Sequence, residues 1–177
     1  MARTVPSAAT VSPGQFITGA LWNANVQYTA SFLTGPPVFS GYQATSQSVP
    51  TATWTSLTID TTILDSDGGH SNTVNPSRYT ATVPGTYLLV GTSGWTGAAS
   101  GYRRLRFALN GSAITGSAVG SDAVNSVLCG HCTTTVIGLN GTSDYVEVQG
   151  AQSSGAALAT YVSSDFSASL RVFWLSR

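Results

Sequence analysis

Large apolar residues fall on both sides of the run Thr86 to Trp95: Tyr87, Leu89 and Trp95 at odd positions, Leu88 and Val90 at even ones. An extended strand with one wet face alternates, so neither side of this one is ready to meet water. The run Ser167 to Leu175 repeats the pattern, with Ala168, Leu170, Val172 and Trp174 on one side and Phe173 and Leu175 on the other. From Val38 onward the chain consists of short runs rich in Thr, Val, Tyr, Phe and Ser, broken by Gly, Pro, Asn and Asp about every ten residues, which predicts an all-β sandwich or barrel. The expected strands are Val38 to Ala44, Trp54 to Asp60, Arg78 to Val83, Thr86 to Trp95, Arg103 to Leu109, Ser112 to Ala118, Ser126 to Leu139, Asp144 to Gln149, Ala157 to Val162 and Ser167 to Leu175. Asn110-Gly111 and Asn140-Gly141 supply hairpin-type turns. No internal repeat is present, which argues against a solenoid or propeller and leaves a two-sheet antiparallel jelly roll.

The first 37 residues follow another period. Thr18 stands as a helix N-cap, and Trp22, Val26, Thr29 and Leu33 recur at helical spacing until Gly35 and Pro36 stop the helix. A single helix of this length is marginal in water, so its apolar residues, led by Leu21, Trp22, Val26 and Phe32, are expected to dock on another surface. The expected organisation is an arm over residues 1–37 and a jelly roll over 38–177, within the size of one domain plus an appendage.

Four segments, PGTY (Pro84 to Tyr87), YRRLRFALNG (Tyr102 to Gly111), LNGTSDYVEV (Leu139 to Val148) and DFSASLRVFW (Asp165 to Trp174), resemble in order and spacing the jelly rolls of the tumour necrosis factor superfamily and the globular heads of the first complement component. Ser143-Asp144 stands where that pattern has Gly-Asp, and Ala168 where it has Gly. In such jelly rolls three subunits surround a threefold axis, and the inner sheet is covered on one side by its own outer sheet and on the other by its neighbours. The resemblance therefore implies a homotrimer, with Tyr87, Leu89, Phe173 and Leu175 expected at the contact. The alternative is a central strand covered on both sides by its own chain. The arm, GQFITGALWNANV with GPP after it, resembles the leaders of small structural proteins of tailed bacteriophages, and arginine without lysine fits a GC-rich genome. It replaces the collagen stalk of the complement proteins, so complement function does not transfer.

Composition narrows the chemistry. Only 8% of the 177 residues are charged and the formal net charge is zero, so the attraction to phosphate backbones or anionic lipid is missing; neither nucleic acid nor membrane is an expected partner. All seven basic residues are arginine, which removes Schiff-base lysines and the P-loop lysine. The segment MARTVPSAATVSPGQF has no apolar core of a signal peptide, so a virion component made in the host cytoplasm is expected.

LCGHC, Leu128 to Cys132, could hold zinc or exchange disulfides, but no second ligand pair exists, and in a strand Cys129 and Cys132 point to opposite faces. Buried structural thiols are the expectation, with a ring of Cys129 or His131 about a threefold axis as the alternative. DSDGGHS, Asp65 to Ser71, lacks the bidentate Glu and the length of an EF-hand, so turn residues are expected there rather than a calcium site at Asp65 and Asp67. One Glu and six Asp offer no convincing glycosidase pair, and no Gly-x-Ser-x-Gly elbow occurs. In YRRLRF, alternation turns Arg104 and Arg106 outward and Leu105 and Phe107 inward. The expectation is a non-enzymatic virion protein without metal or cofactor, fixed to other virion proteins by residues 1–37 and projecting as a capsid or tail decoration. Its rival is a host-surface glycan-binding adhesin, for which Asp67, His70, Trp95 and Tyr102 are the candidate ligand residues.

Overall fold

The computed structural model describes residues 3–123 and 128–177. Thr18 caps the arm helix as expected: its backbone is extended and its hydroxyl oxygen accepts the Leu21 N–H at 3.2 Å. The helix runs as α1 (Gly19–Trp22), a π-helical stretch (Asn23–Gln27) and α2 (Tyr28–Thr34), and Gly35 ends it. The wider turn in the middle rotates the two halves relative to an ideal α-helix. Phe32 turns onto the body and is 6% exposed, whereas Trp22, Val26 and Leu33 remain in solvent.

Among the described residues thirteen strands, numbered in chain order, follow. The first sheet has the order β10 (Cys129–Leu139), β6 (Gly85–Trp95), β13 (Ser169–Ser176), β1 (Val38–Tyr42), β4 (Thr61–Asp65). The second has the order β3 (Thr55–Ser56), β11 (Tyr145–Gln152), β7 (Tyr102–Leu109), β8 (Ser112–Ala113), with β5 (Arg78–Thr80) also on β11 and β9 (Val119–Asp122) also on β7. A small pair, β2 (Ser48–Val49) and β12 (Leu158–Ala159), closes one side. The named pairs are antiparallel, as a jelly roll requires.

Several expected strands are shorter than their residues suggested. Of Trp54 to Asp60 only Thr55–Ser56 is strand, and of Ser112 to Ala118 only Ser112–Ala113 (β8); β9 begins at Val119, beyond the expected range. Thr61–Asp65, which its polar text hid, pairs with β1 across an irregularity at Ser40 and Gly41. The first residues of the expected strand Ser126 to Leu139 lie outside the described residues.

The two sheets close on one core. From the first come Phe39, Tyr87, Leu89, Leu170 and Val172, and from the second Leu105, Phe107, Val146 and Val148, all fully buried. Gly91 leaves room for the second sheet: a Cβ there would lie 2.9 Å from the Phe107 ring and 3.0 Å from Val148. Tyr87 carries its hydroxyl into this core by donating to the Val83 carbonyl at 2.6 Å, and burial raises its pKa to about 12.

Candidate functional site

The inner side of the first sheet is satisfied by the second sheet; its other side is open. Val136, Leu88, Phe173 and Val38 stand opposite one another on β10, β6, β13 and β1, which places them in a single cross-strand row on that open side. Val136 is 55% exposed and Phe173 36%, while Leu88 and Val38 between them are half-buried. Leu175 continues the patch at 50% exposure. One step along, Thr134, Val90, Arg171, Ser40 and Leu64 form the next row on the same side. Arg171 donates to the Ser169 hydroxyl at 3.2 Å and forms no ion pair among the described residues. Further on the rows turn polar: Thr92 and Ser169 share a 2.7 Å hydroxyl contact. There a cavity of about 750 Å³ opens between Tyr42, Cys132, Asp165, Phe166 and Arg171. The open side thus grades from apolar to polar along the strands.

The structure corrects two of the four expected contact residues. Tyr87 and Leu89 are fully buried in the core of their own subunit, so no neighbour can reach them. The strand's open side carries Leu88 and Val90 instead, because the second sheet, through Phe107 and Val148, meets the odd-numbered side of β6. Phe173 does lie on the open side, paired with Leu88, and Leu175 is exposed in the irregularity between Trp174 and Ser176. Leu88 and Val136 were missed, although the alternation of β6 contained Leu88 once its phase was known.

The four candidate ligand residues do not converge. Asp67 is held by Arg3, whose Nε and Nη2 each donate to its carboxylate at 2.7 Å. This fork holds the carboxyl below the usual carboxylate range. His70 lies between two carbonyls, Nδ1 2.7 Å from Arg78 O and Nε2 2.8 Å from Ile59 O, so its ring ties loops together. Trp95 is fully buried with its N–H unpartnered in the core, beneath Gly150, and cannot touch a ligand. It also lies seven residues along β6 from Leu88, on the order of 20 Å from the end that carries Asp67. Tyr102 lies on the outer side of the second sheet, under the Arg104 guanidinium at 4.1 Å.

Asp65 accepts the backbone N–H groups of Asp67, Gly69 and His70 at 3.0 to 3.4 Å, which makes the DSDGGHS segment a turn closed by its own first carboxylate. Among the described residues no three or more His, Cys, Asp or Glu side chains gather as a metal would require. Cys129 and Cys132 are free and face opposite sides, as strand geometry requires, but they are not both buried: Cys129 is half-buried and Cys132 exposed. The reason is that β10 is an edge strand whose Cys132 side belongs to the open surface. Burial raises the Cys129 thiol pKa, and burial followed by the nearby Arg103 charge lowers that of His131. Arg103 was not expected inside. It is 1% exposed and holds the preceding loop by donating to the carbonyls of Tyr102 (2.8 Å) and Ser100 (3.2 Å). Arg104 and Arg106 point outward as alternation requires, with Leu105 and Phe107 buried between them.

The arm touches the body at one latch. Phe32 meets Trp174 edge-on with ring centroids 4.8 Å apart, and Arg3, besides gripping Asp67, donates to the Gly35 carbonyl and lies over the Phe32 ring at 5.7 Å. Of the four expected docking residues, Phe32 is spent on this internal contact; Leu21 is half-buried, and Trp22 and Val26 are 54% and 42% exposed. Among the described residues no helix is long and apolar enough to cross a membrane.

No family model and no curated protein matches the chain by sequence. Solved structures do resemble it. Murine APRIL superposes with a TM-score of 0.57 at 13% identity, covering 77% of this chain and 98% of that one. The globular domain of zebrafish complement 1qA gives 0.51 at 16% identity, over 80% and 98% of the two chains. The vertex protein P5 of phage PRD1 gives 0.57 at 17%, over 79% and 97%. The likeness shows the fold: an antiparallel jelly roll of the tumour necrosis factor and complement-head type, shared with a phage protein, preceded here by a short helical arm.

Proposed function

We propose that the chain is a non-enzymatic structural protein of a phage virion, a homotrimer whose jelly roll projects from the particle while residues 1–37 fix it to other virion proteins. The row Val136, Leu88, Phe173 and Val38 carries this reading: a continuous apolar band on the open side of a sheet whose inner side is already filled. Covering what stays exposed of Val136, Phe173 and Leu175 contributes on the order of 1 kcal/mol per side chain, repeated in every subunit. A second copy of the chain suits the surface, because jelly rolls of this type cover that side with their own neighbours. Most carboxylates that could serve chemistry are already engaged: Asp67 with Arg3, Glu147 with Ser56, Ser77 and Arg78, and Asp60 with the N–H groups of Ala44 and Thr45. The likeness to a vertex protein supports a place on the virion.

Sedimentation equilibrium of the purified protein at micromolar concentration tests the assembly. The expected mass is three times the 18.2 kDa chain; a single subunit would overturn the reading. Removing residues 1–37 is expected to abolish incorporation into particles and leave the soluble trimer intact. A second reading, a glycan-binding adhesin, is favoured by one feature, an open cleft beside Tyr102 on the opposite sheet.

A further inference from the structure

On the outer side of the second sheet, Trp54, Tyr102, Arg104, Val119, Ser121 and Asp122 bound a cleft of about 380 Å³, within the range of small-molecule sites. Pairing between β7 and β9 sets Asp122 opposite Tyr102 and Gly120 opposite Arg104. A Cβ at position 120 would lie 2.6 Å from the Arg104 Cγ and 2.7 Å from the Arg103 carbonyl oxygen, so glycine lets β9 come this close to β7 beneath the Arg104 stem that stacks on Tyr102. Arg106 stacks on Trp54 at 4.1 Å in the same way and holds the indole at the rim. Among the described residues, the Arg104 guanidinium and the Asp122 carboxylate make no hydrogen bond or ion pair, with each other or with any third group. Each keeps its hydrogen-bonding capacity.

We infer that this cleft binds a neutral hexopyranose unit of a glycan. The argument is chemical. A carboxylate accepts from two hydroxyls at once and a guanidinium donates to sugar oxygens, while Tyr102 and Trp54, each under its own arginine, back these polar groups and wall the cleft. One positive and one negative group in the cleft cancel, so a sugar carboxylate or a phosphate drawn to Arg104 would be repelled by Asp122. The site lies within one subunit, away from the open side of the first sheet, so it does not depend on the trimer for its parts. It rests on the adhesin reading and gives that reading a location, on the outer side of the second sheet. Affinity per site is expected to be weak because the cleft is shallow, and three copies would act through avidity.

The test titrates the full-length protein with methyl glycosides of glucose, galactose, mannose and N-acetylglucosamine, and with glucuronic and sialic acid, up to about 50 mM, a range that covers millimolar dissociation constants. Tryptophan fluorescence and isothermal calorimetry supply the readout. At least one neutral glycoside is expected to bind saturably. Asp122→Asn and Arg104→Ala, both at exposed positions, are each expected to weaken it by about 10-fold or more, with an unchanged melting temperature. Neutral-sugar binding that survives both substitutions overturns the cleft and leaves an adhesin acting elsewhere. A preference for the acidic sugars overturns the claim of neutrality. Failure of every sugar to bind overturns the cleft and the adhesin reading together, while the sedimentation result for the trimer stands apart from all three outcomes.

Discussion

The two sheets share one core but differ in how they end toward solvent. Both outer surfaces carry large side chains. On the second sheet each aromatic is capped by a guanidinium that meets the water: Arg78 over Tyr145, Arg104 over Tyr102 and Arg106 over Trp54, each at 4.1 Å. Between them Glu147 accepts from Ser56 and Ser77, and Gln149 from Arg106, so the aromatics of this surface are covered within one chain. On the first sheet, Val136, Leu88, Phe173 and Val38 have no such covering. Exposed apolar area alone does not separate a finished surface from an unfinished one; what separates them is whether charged groups of the same chain lie across it.

The sharpest way to break this contrast is Phe173→Asp. A carboxylate in the middle of the apolar row is expected to reduce the sedimenting mass to that of one 18.2 kDa chain, whereas Arg104→Glu on the other sheet leaves the mass unchanged. An unchanged mass for Phe173→Asp would mean that the two surfaces are equivalent. Next comes the pair Leu89→Ala and Leu88→Ala, adjacent residues on opposite sides of β6. The first removes a fully buried side chain and is expected to cost about 2 to 5 kcal/mol of folding stability, read from chemical denaturation of the dissociated chain. The second is expected to weaken assembly and cost the single chain much less.

Phe32→Ala sharpens the contrast at the arm. Loss of the edge contact with Trp174 is expected to speed proteolysis within residues 3–37 while the melting temperature of the jelly roll hardly moves. The smallest effect concerns pH. The Asp67 pKa is lowered from 3.8 by its hydrogen bonds from Arg3, so the latch is at full strength above that value and is lost as pH falls through the lower folded-state pKa. Amide hydrogen exchange in the arm, corrected for the intrinsic pH dependence, is expected to stay constant from neutral pH down to about 4 and to quicken below it. Asp67→Asn should remove that dependence, and a response near neutral pH would contradict the assignment to Asp67.

Much of this architecture was legible in the residues. Thr18 as N-cap and Gly35 as stop depend on neighbours three or four positions away, and both stand. Asn110 and Gly111 adopt the left-handed backbone (φ 50° and 81°) that an Asn-Gly turn predicts. Asn140-Gly141 closes no hairpin: Asn140 accepts from the N–H groups of Thr142, Ser143 and Asp144, and its loop carries the chain from β10 in the first sheet to β11 in the second. The candidate ligand residues were less legible. His70 and Asp67 were singled out for residue type alone, and their partners, Ile59, Arg78 and Arg3, belong to other segments. The cleft at Tyr102 needed Gly120 and Asp122 brought across from β9, a strand whose wholly exposed residues carry no apolar signal.

By itself the sequence determined that the chain is a jelly roll with a helical arm and that its central strands are apolar on both sides, because period, caps and turns are written in residues close together along the chain. Only the tertiary structure decided which side of β6 faces the core, that Arg3 would grip a carboxylate 64 residues away, and which apolar row would be left uncovered. Alternation along a strand fixes that two faces exist. Which of them is inside depends on the sheet packed against it, and that sheet comes from distant parts of the chain.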